Sequence, residues 1–168
     1  ARNASANPAF QWIRSARALI AEGYAPPFYP HLEYDVEKAL KIARDLNADG
    51  FRFPAASYYV HYPTRTRLPV HPELGKDDPF RRTVDLFARA GLKVIAYVPI
   101  NHPFMDVSSE SRHYPDWTKR RHDGRPMLAE HYGFARFYEG CINSPLGEEI
   151  RELVREIITR YPVDVMYF

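Results

Sequence analysis

The stretch Leu92-Lys93-Val94-Ile95-Ala96-Tyr97-Val98 decides the fold class, because all of its residues except the lysine are apolar. A strand with so little polar alternation is typical of a parallel sheet that is covered on both faces. It follows directly on a predicted helix from Pro79 to Ala90, which Asp78 caps and Gly91 ends. This succession of helix and strand predicts an α/β fold with a parallel sheet.

The same helix–strand unit occurs twice more along the chain. Apolar residues at helical spacing predict one helix from Val36 to Asn47, capped by Asp35. They predict a longer helix from Pro145 to Arg160, capped by Ser144. Strands are predicted before the first helix and directly after each of the three, at Ala16 to Ala21, Gly50 to Phe53, Leu92 to Val98 and Val163 to Phe168.

Four parallel strands alternating with three helices amount to half of a (β/α)8 TIM barrel, which needs eight strands and roughly 250 residues. An open nucleotide-binding sheet is the alternative, but the Gly-rich phosphate motifs of such sheets do not occur in the sequence. We therefore expect residues 1–168 to form one partial domain, the N-terminal half of a barrel truncated at the end of the fourth strand. The helical spacing also predicts that Leu46 and Ala88 are buried.

The connections that follow the strands are long, whereas those that follow the helices are short. The two longest run from about Pro54 to Asp77 and from about Pro99 to Asn143, and both are rich in aromatic residues and proline. Long ordered connections in a compact domain are usually functional. Because they leave the carboxyl ends of parallel strands, they predict an active site at that edge.

Composition excludes several classes of function. The net charge of +2 argues against nucleic acid or a membrane surface as partner. There is no apolar run of the roughly 20 residues that a membrane span requires, and Ala1 to Pro8 is too polar for a signal peptide. The single cysteine, Cys141, fits a reducing compartment and slightly favours the cytoplasm. Whether the full-length protein forms a homo-oligomer stays open.

Several short motifs occur in an order that resembles one family of barrel proteins. They are Tyr34-Asp35, Asp49-Gly50-Phe51-Arg52-Phe53, Tyr114-Pro115-Asp116-Trp117, Asp123-Gly124-Arg125-Pro126, Cys141-Ile142-Asn143-Ser144-Pro145 and the end of the chain from Tyr161 to Phe168. Together they resemble the hypothetical glycosyl hydrolase 6 family and, more loosely, α-L-fucosidases and the β-galactosidases with a trimerisation domain. The resemblance covers nearly the whole chain from Trp12 onward.

The resemblance implies a TIM-barrel glycoside hydrolase that cleaves an oligo- or polysaccharide with two carboxylates and no cofactor. In such barrels the fourth strand ends in an aromatic residue followed by the aspartate that acts as nucleophile. That position lies just beyond Phe168, and the acid/base residue lies later still. No catalytic carboxylate is therefore assigned within this chain, and the fragment alone is expected to be inactive. A retaining outcome is favoured, subject to the separation of the two carboxylates.

This half of the barrel is expected to supply substrate ligands, for which the candidates are Arg52, Tyr59, His61, Asn101, His102, Trp117 and Asn143. Arg52 could hold a carboxylate or sugar oxygens with its planar fork, or form a buried ion pair. Asn101 and His102, just past the third strand, could bind sugar hydroxyls or cap their loop. Trp117 could stack on a sugar or form the core of its loop.

The remaining candidates are argued from position alone. Tyr59 and His61 belong to an aromatic cluster in the connection after the second strand, of which one or two members are expected to reach the cleft. Asn143 either contacts substrate or closes the turn before the third helix. The run from Lys119 to His122 is a solvated loop tip or a site for acidic sugars or phosphates.

Histidine spacing does not predict a metal site, since neither H-x-H nor H-E-x-x-H occurs. Two rival functions stay open at this point. One is a metal-dependent barrel hydrolase that uses His102 with distant ligands. The other is a barrel that binds carbohydrate without catalysis.

Overall fold

The computed structural model describes residues 16, 18–20, 36–56, 59–71, 74, 76–100, 115–131 and 135–168. Within those residues three helices alternate with the strands of a parallel sheet, and the last long connection carries a hairpin. The elements are β1 (Ala18–Ile20), α1 (Val36–Asp45), β2 (Gly50–Pro54), α2 (Pro79–Arg89), β3 (Lys93–Tyr97), β4 (Leu128–His131), β5 (Ala135–Tyr138), α3 (Pro145–Arg160) and β6 (Val165–Tyr167). The predicted α/β alternation is confirmed.

The parallel strands pair in the order in which they follow along the chain, β1-β2-β3-β6. The register aligns Leu19 with Phe51, Phe51 with Val94, and Ala96 with Met166. An open nucleotide-binding sheet reverses its strand order at a switch point, whereas a barrel wall keeps one direction. The described strands keep one direction and show no switch point. None of the helices in the described ranges is long and apolar enough to cross a membrane.

The sheet has two different faces, because successive side chains of a strand point to opposite sides. On one face Phe51 and Phe53 stack at 4.6 Å between ring centroids, and both contact Phe87 of α2 edge-on, at 5.3 and 4.8 Å. These three rings are almost completely buried, as is Val94. The opposite face carries half-buried side chains, among them Arg52. The apolar core therefore lies between the sheet and its helices.

The helix starts follow from local sequence signals. Asp78 precedes α2 and accepts a hydrogen bond from the backbone N–H of Arg81 at 2.8 Å. Ser144 precedes α3 and accepts one from the backbone N–H of Leu146 at 3.2 Å. Each satisfies a donor that a helix N-terminus otherwise leaves without a partner. Both predicted caps are confirmed, and the predicted cap at Asp35 lies outside the described residues.

Two predictions about buried faces are wrong. Helix α1 ends at Asp45, and Asn47 turns the chain with a positive φ of 50°. Leu46 therefore lies in the turn and is 59% exposed. Ala88 is also exposed, because its neighbour Phe87 occupies the position that faces the sheet.

The connection between β3 and α3, predicted as a loop, contains a small antiparallel structure. Strands β4 and β5 pair with Leu128 opposite Tyr138. Two further bridges, Thr118 with Gly140 and Arg120 with Pro126, extend the pairing on either side. Backbone hydrogen bonds therefore join the described residues of this connection.

Gly147 in the first turn of α3 should not tolerate a side chain. A Cβ there would lie 2.0 Å from the carbonyl oxygen of Ile142, so the backbone would have to move. Alanine in a helix is ordinarily the more stable choice, but here we expect Gly147→Ala to lower the free energy of unfolding of the full-length protein by about 2 kcal/mol. Urea unfolding measures the change. Gly124→Ala is the comparison, since its Cβ meets open space and only the φ of 80° is unfavourable. If Gly147→Ala is as stable as the wild-type protein or more stable, the close contact with Ile142 does not exist.

Candidate functional site

Three side chains meet at the carboxyl ends of the strands, on the face of the sheet that lies opposite the helices. We call this face the open face. The guanidinium carbon of Arg52 lies 4.9 Å from the ring centroid of Tyr97 and 5.0 Å from that of Tyr167. The two rings are 5.6 Å apart, tilted by 45°. We call these residues the Arg52 cluster. Tyr167 is the most exposed member of the cluster, at 49%.

Strand register explains why the cluster forms. Arg52 lies opposite Ile95, which lies opposite Val165, while Tyr97 lies opposite Tyr167 one step further along the same face. The long arginine side chain spans this step and brings its cation against both rings. Each such cation–π contact contributes roughly 0.5–2 kcal/mol. Tyr97 and Tyr167 were not among the predicted candidates, because their position beside Arg52 depends on the register between three strands.

A second group of residues follows directly after β2. His61 is completely buried, and its Nδ1 lies 3.0 Å from the carbonyl oxygen of Pro54. The ring centroid of His71 is 6.3 Å from that of His61 and 5.4 Å from that of Tyr59. The structure thus brings together two predicted candidates, Tyr59 and His61, through a histidine that was not predicted. Tyr59 is half-buried and is the member of this group closer to the surface.

The environment of His61 favours its neutral form. Burial lowers the pKa of His61 from 6.5 to about 4, the hydrogen bond to Pro54 opposes this shift, and the charge of His71 adds to it. A carbonyl oxygen can only accept, so the proton of the neutral ring must lie on Nδ1, which donates to Pro54. His61 therefore serves the end of β2 as a neutral hydrogen-bond donor at neutral pH.

Because of His61, the free energy of unfolding of the protein should decrease as the pH decreases. The folded-state pKa lies below that of the unfolded chain, so the unfolded state takes up the proton first as the pH drops. The contribution of neutral His61 to the free energy of unfolding is fully present above about pH 6.5 and is lost as the pH falls towards about 4. Between about pH 7.5 and 5 the loss should be about 2 kcal/mol. Urea unfolding of the full-length protein should show that His61→Gln removes this part of the pH dependence and that exposed His122→Gln does not. If the free energy of unfolding of His61→Gln depends on pH as that of the wild-type protein does, another group causes this dependence.

The connection after β2 is fastened to α3 by two carboxylates. Glu156, which is buried, accepts hydrogen bonds from Thr64 Oγ1 at 2.7 Å and from the backbone N–H of Arg65 at 2.8 Å. Glu149 accepts from the backbone N–H and from Nε of Arg67, at 2.8 and 2.6 Å. The two glutamates are seven residues apart and share one face of the helix. We call residues 64–67 the anchored loop. The sequence analysis did not identify these anchors, because neither glutamate is unusual in a helix.

A tyrosine beside the anchored loop extends the contact. The hydroxyl of Tyr62 donates to the carbonyl oxygen of Leu153 in α3 at 3.3 Å, and the ring is completely buried. Burial, and then the charge of Glu156, raise the pKa of Tyr62 well above its usual range. Tyr62 therefore stays a neutral donor that packs between the connection and α3.

The other candidates take different positions. Trp117 is 3% exposed, and the guanidinium carbon of Arg67 lies 5.4 Å from its ring centroid. This position favours a role in the core of the loop, the alternative weighed for it above. Asn143 is exposed in the turn just before α3. Asn101 and His102 lie outside the described residues. In the described part of the chain no three histidine, cysteine, aspartate or glutamate side chains are grouped to hold a metal ion.

The chain is similar in fold to several solved glycosidases. α-L-Fucosidase isoenzyme 2 from Paenibacillus thiaminolyticus matches with a TM-score of 0.71 at 16% identity, over 90% of this chain and 23% of its own. The α-galactosidase from Thermus thermophilus matches with 0.55 at 18%, over 90% and 30%. The α-N-acetylgalactosaminidase from Bifidobacterium bifidum matches with 0.56 at 12%, over 91% and 27%. The chain thus spans about a quarter to a third of the length of these proteins.

Sequence comparison identifies the family. No curated protein matches the chain. The model of one family, described as hypothetical glycosyl hydrolase 6, matches residues 35–168, which are most of the chain and include β2, β3, β6 and the anchored loop. The chain therefore belongs to the hypothetical glycosyl hydrolase 6 family.

Proposed function

We propose that this chain is the N-terminal half of the TIM barrel of a glycoside hydrolase, which cleaves glycosidic bonds of an oligo- or polysaccharide with two carboxylates. The observation that carries the proposal is the Arg52 cluster, which lies on the open face of the sheet at the carboxyl ends of its strands. Barrel enzymes form their active sites at this edge. The family and the fold of the similar glycosidases support the same reaction class.

The half-barrel arrangement explains the two different faces of the sheet. In a closed barrel the face opposite the helices becomes the interior, which is filled by side chains from alternating positions. The half-buried state of Arg52, Ile95 and Tyr97 fits such a face, with further β/α units of the full-length protein packing against it. Continued pairing would begin at β6, which forms one edge of the sheet.

The catalytic carboxylates belong to the part of the protein that follows Phe168. Side chains alternate along β6, so the position after Phe168 returns to the face of Tyr167 and of the Arg52 cluster. A carboxylate there would lie at the carboxyl end of the fourth strand, beside the substrate ligands. With the second carboxylate about 5–5.5 Å away it would act as the nucleophile of a retaining enzyme, whereas about 6.5–9.5 Å would indicate inversion.

The residues of this chain bind and orient the sugar in this proposal. Among the described candidates Arg52 and Tyr59 are half-buried and Asn143 is exposed, and His61 holds the end of β2 in place. Asn101, His102 and Asn143 stay predicted ligands at the same edge. Trp117 supports the site by packing beneath the anchored loop. The fragment alone would lack catalysis, because it holds only this binding part.

The test is the residue that follows Phe168 in the full-length protein. We expect an aspartate or glutamate in the next one or two positions, and hydrolysis of at least one member of a panel of 4-nitrophenyl glycosides. Replacing that carboxylate by its amide should lower kcat by at least about 1,000-fold without unfolding the protein. Sugar binding without any turnover would point to a non-catalytic barrel. Loss of activity on chelation together with loss of bound zinc would point to a metal-dependent hydrolase. Either result overturns the proposal.

A further inference from the structure

We infer that Arg67 and Glu149 are positioning residues, which hold the connection after β2 and the connection after β3 in a fixed relation to each other. Each connection carries a candidate sugar ligand, Tyr59 in the first and Asn143 in the second. The inference rests on the proposed function where it concerns sugar binding, because it explains how two ligands of the same site are placed. The link between the connections is itself independent of the substrate.

Glu149 holds the anchored loop at two points. It lies near the start of α3, and its side chain is only 14% exposed. One carboxylate oxygen accepts a hydrogen bond from the backbone N–H of Arg67 at 2.8 Å, and the other accepts from Nε of the same residue at 2.6 Å. Hydrogen bonds to a charged acceptor are the shorter and stronger ones. The first bond fixes the chain of the anchored loop, and the second fixes the direction of the arginine side chain.

The same arginine contacts the connection after β3. Its guanidinium carbon lies over the ring of Trp117, 5.4 Å from the ring centroid, and this tryptophan is almost completely buried. A cation at such a distance is attracted by the face of an indole ring. The short turn of residues 115–117 also lies close to α3. We call Arg67, Glu149 and Trp117 together the Arg67 link.

On the side of β2, the Arg67 link lies next to the backbone that places Tyr59. Two residues past Arg67, the carbonyl oxygen of Pro69 accepts a hydrogen bond from the backbone N–H of Val60 at 2.8 Å. The backbone N–H of His71 donates to the carbonyl oxygen of Val60 at 3.1 Å. These bonds pair the two segments side by side, and the ring of His71 lies 5.4 Å from that of Tyr59. A shift of the backbone at Arg67 should therefore shift Tyr59.

On the side of β3, the Arg67 link reaches the turn that carries Asn143. The carbonyl oxygen of Trp117 accepts a hydrogen bond from the backbone N–H of Cys141 at 2.7 Å. The carbonyl oxygen of Cys141 accepts from the backbone N–H of Ser144 at 3.0 Å and from its Oγ at 2.6 Å, which closes the turn around Asn143. Contiguous networks of this kind carry coupling between separate sites. Arg67 thus relates the turn of Asn143 to the connection after β2.

Amide hydrogen exchange of the full-length protein tests the link without any substrate. Glu149→Ala removes both acceptors of Arg67, and we expect at least about threefold faster exchange in the peptides that contain residues 64–71 and in those that contain Trp117 and Cys141. Glu149→Gln keeps one acceptor oxygen and should lie between Glu149→Ala and the wild-type protein. Arg67→Ala leaves the backbone bond in place and should affect mainly the connection after β3.

Two neighbouring residues provide matched controls. Arg65→Ala removes an exposed arginine side chain of the anchored loop and leaves its backbone bond to Glu156 in place. Glu148→Ala removes an exposed carboxylate next to Glu149, which pairs with Arg151 on the surface of α3. Neither control should change exchange in the connection after β3. If Glu149→Ala does not fold, Glu149→Gln and Arg67→Ala decide the test.

Sugar binding gives a second readout, which a loss of stability alone would not change. We expect Glu149→Ala to raise KM for the hydrolysed 4-nitrophenyl glycoside by about 5- to 10-fold and to leave kcat within about threefold. When Tyr59→Phe and Asn143→Ala are already present, the further increase in KM should be below about twofold, because the link then has fewer contacts with sugar to place.

The outcomes separate this inference from the proposed function. Unchanged exchange at Trp117 and Cys141 in both Glu149→Ala and Arg67→Ala overturns the link, and so does an equal change in either control. Faster exchange with an unchanged KM overturns the positioning role, as does a full increase in KM after Tyr59 and Asn143 have been replaced. If no glycoside is hydrolysed, the proposed function fails, and calorimetric binding of the same glycosides replaces KM. Absence of binding then overturns the positioning role, whereas weaker binding in Glu149→Ala supports it.

Discussion

Replacing Phe53 by alanine should lower the free energy of unfolding of the full-length protein by about 4 kcal/mol. Phe53 is completely buried at the centre of the helix-facing side of the sheet, 4.6 Å from Phe51 and 4.8 Å from Phe87 between ring centroids. The loss combines the apolar surface of one ring with the cavity that it leaves. Two aromatic contacts disappear as well, each contributing about 0.5–1.5 kcal/mol beyond burial.

Urea unfolding of the wild-type protein and of three variants would measure this effect. Phe53→Leu keeps most of the volume and should cost less than half as much as Phe53→Ala. Leu46→Ala removes an exposed side chain of similar chemistry and should change stability by no more than about 0.5 kcal/mol. A loss below about 2 kcal/mol for Phe53→Ala would mean that the two other rings can close over the gap.

Replacing Glu156 by alanine should cost about 3 kcal/mol and should release the anchored loop. The carboxylate is 5% exposed and accepts hydrogen bonds from Thr64 and from the backbone of Arg65, both shorter than 3 Å. Hydrogen bonds to a charged group contribute about 1.5–3 kcal/mol each. Part of this stabilisation is offset by the cost of burying the charge, which alanine recovers.

Amide hydrogen exchange followed by mass spectrometry would locate the effect. Protection of the peptide that contains residues 64–67 should fall in Glu156→Ala, while the peptides of β2 and β3 change less. Glu156→Gln is the conservative variant, because its amide oxygen can still accept one of the two hydrogen bonds. Glu152→Ala removes a surface ion pair with Arg155 and should have little effect. Unchanged protection of residues 64–67 would contradict the anchoring role of Glu156.

Helix starts were predictable from the sequence because their signals are local. Ser144 and Pro145 determine where α3 begins, and the observed helix has the predicted bounds from Pro145 to Arg160. Burial at the edges of an apolar stripe was less predictable. Leu46 has the correct spacing for α1, but the helix ends one residue earlier and the turn at Asn47 directs the side chain outward.

The candidate site was predictable only in part, for a different reason. Arg52 was recognisable as a charged residue inside an apolar strand, but its aromatic neighbours come from two other strands. Their meeting depends on register between segments that are far apart in the chain. The hairpin of β4 and β5 escaped prediction because each strand has only four residues of mixed polarity. Short segments of this kind carry no periodic signal.

The anchored loop also has a consequence for the order in which the protein folds. Thr64 and Arg65 bond to a carboxylate that lies 92 and 91 residues further along the chain. Closing so long a segment costs chain entropy before any contact compensates for it, and contacts of this range slow folding. The loop can therefore take its final position only after α3 has formed. On the ribosome, residues 64–67 must wait until the whole of α3 has been synthesised and has left the exit tunnel.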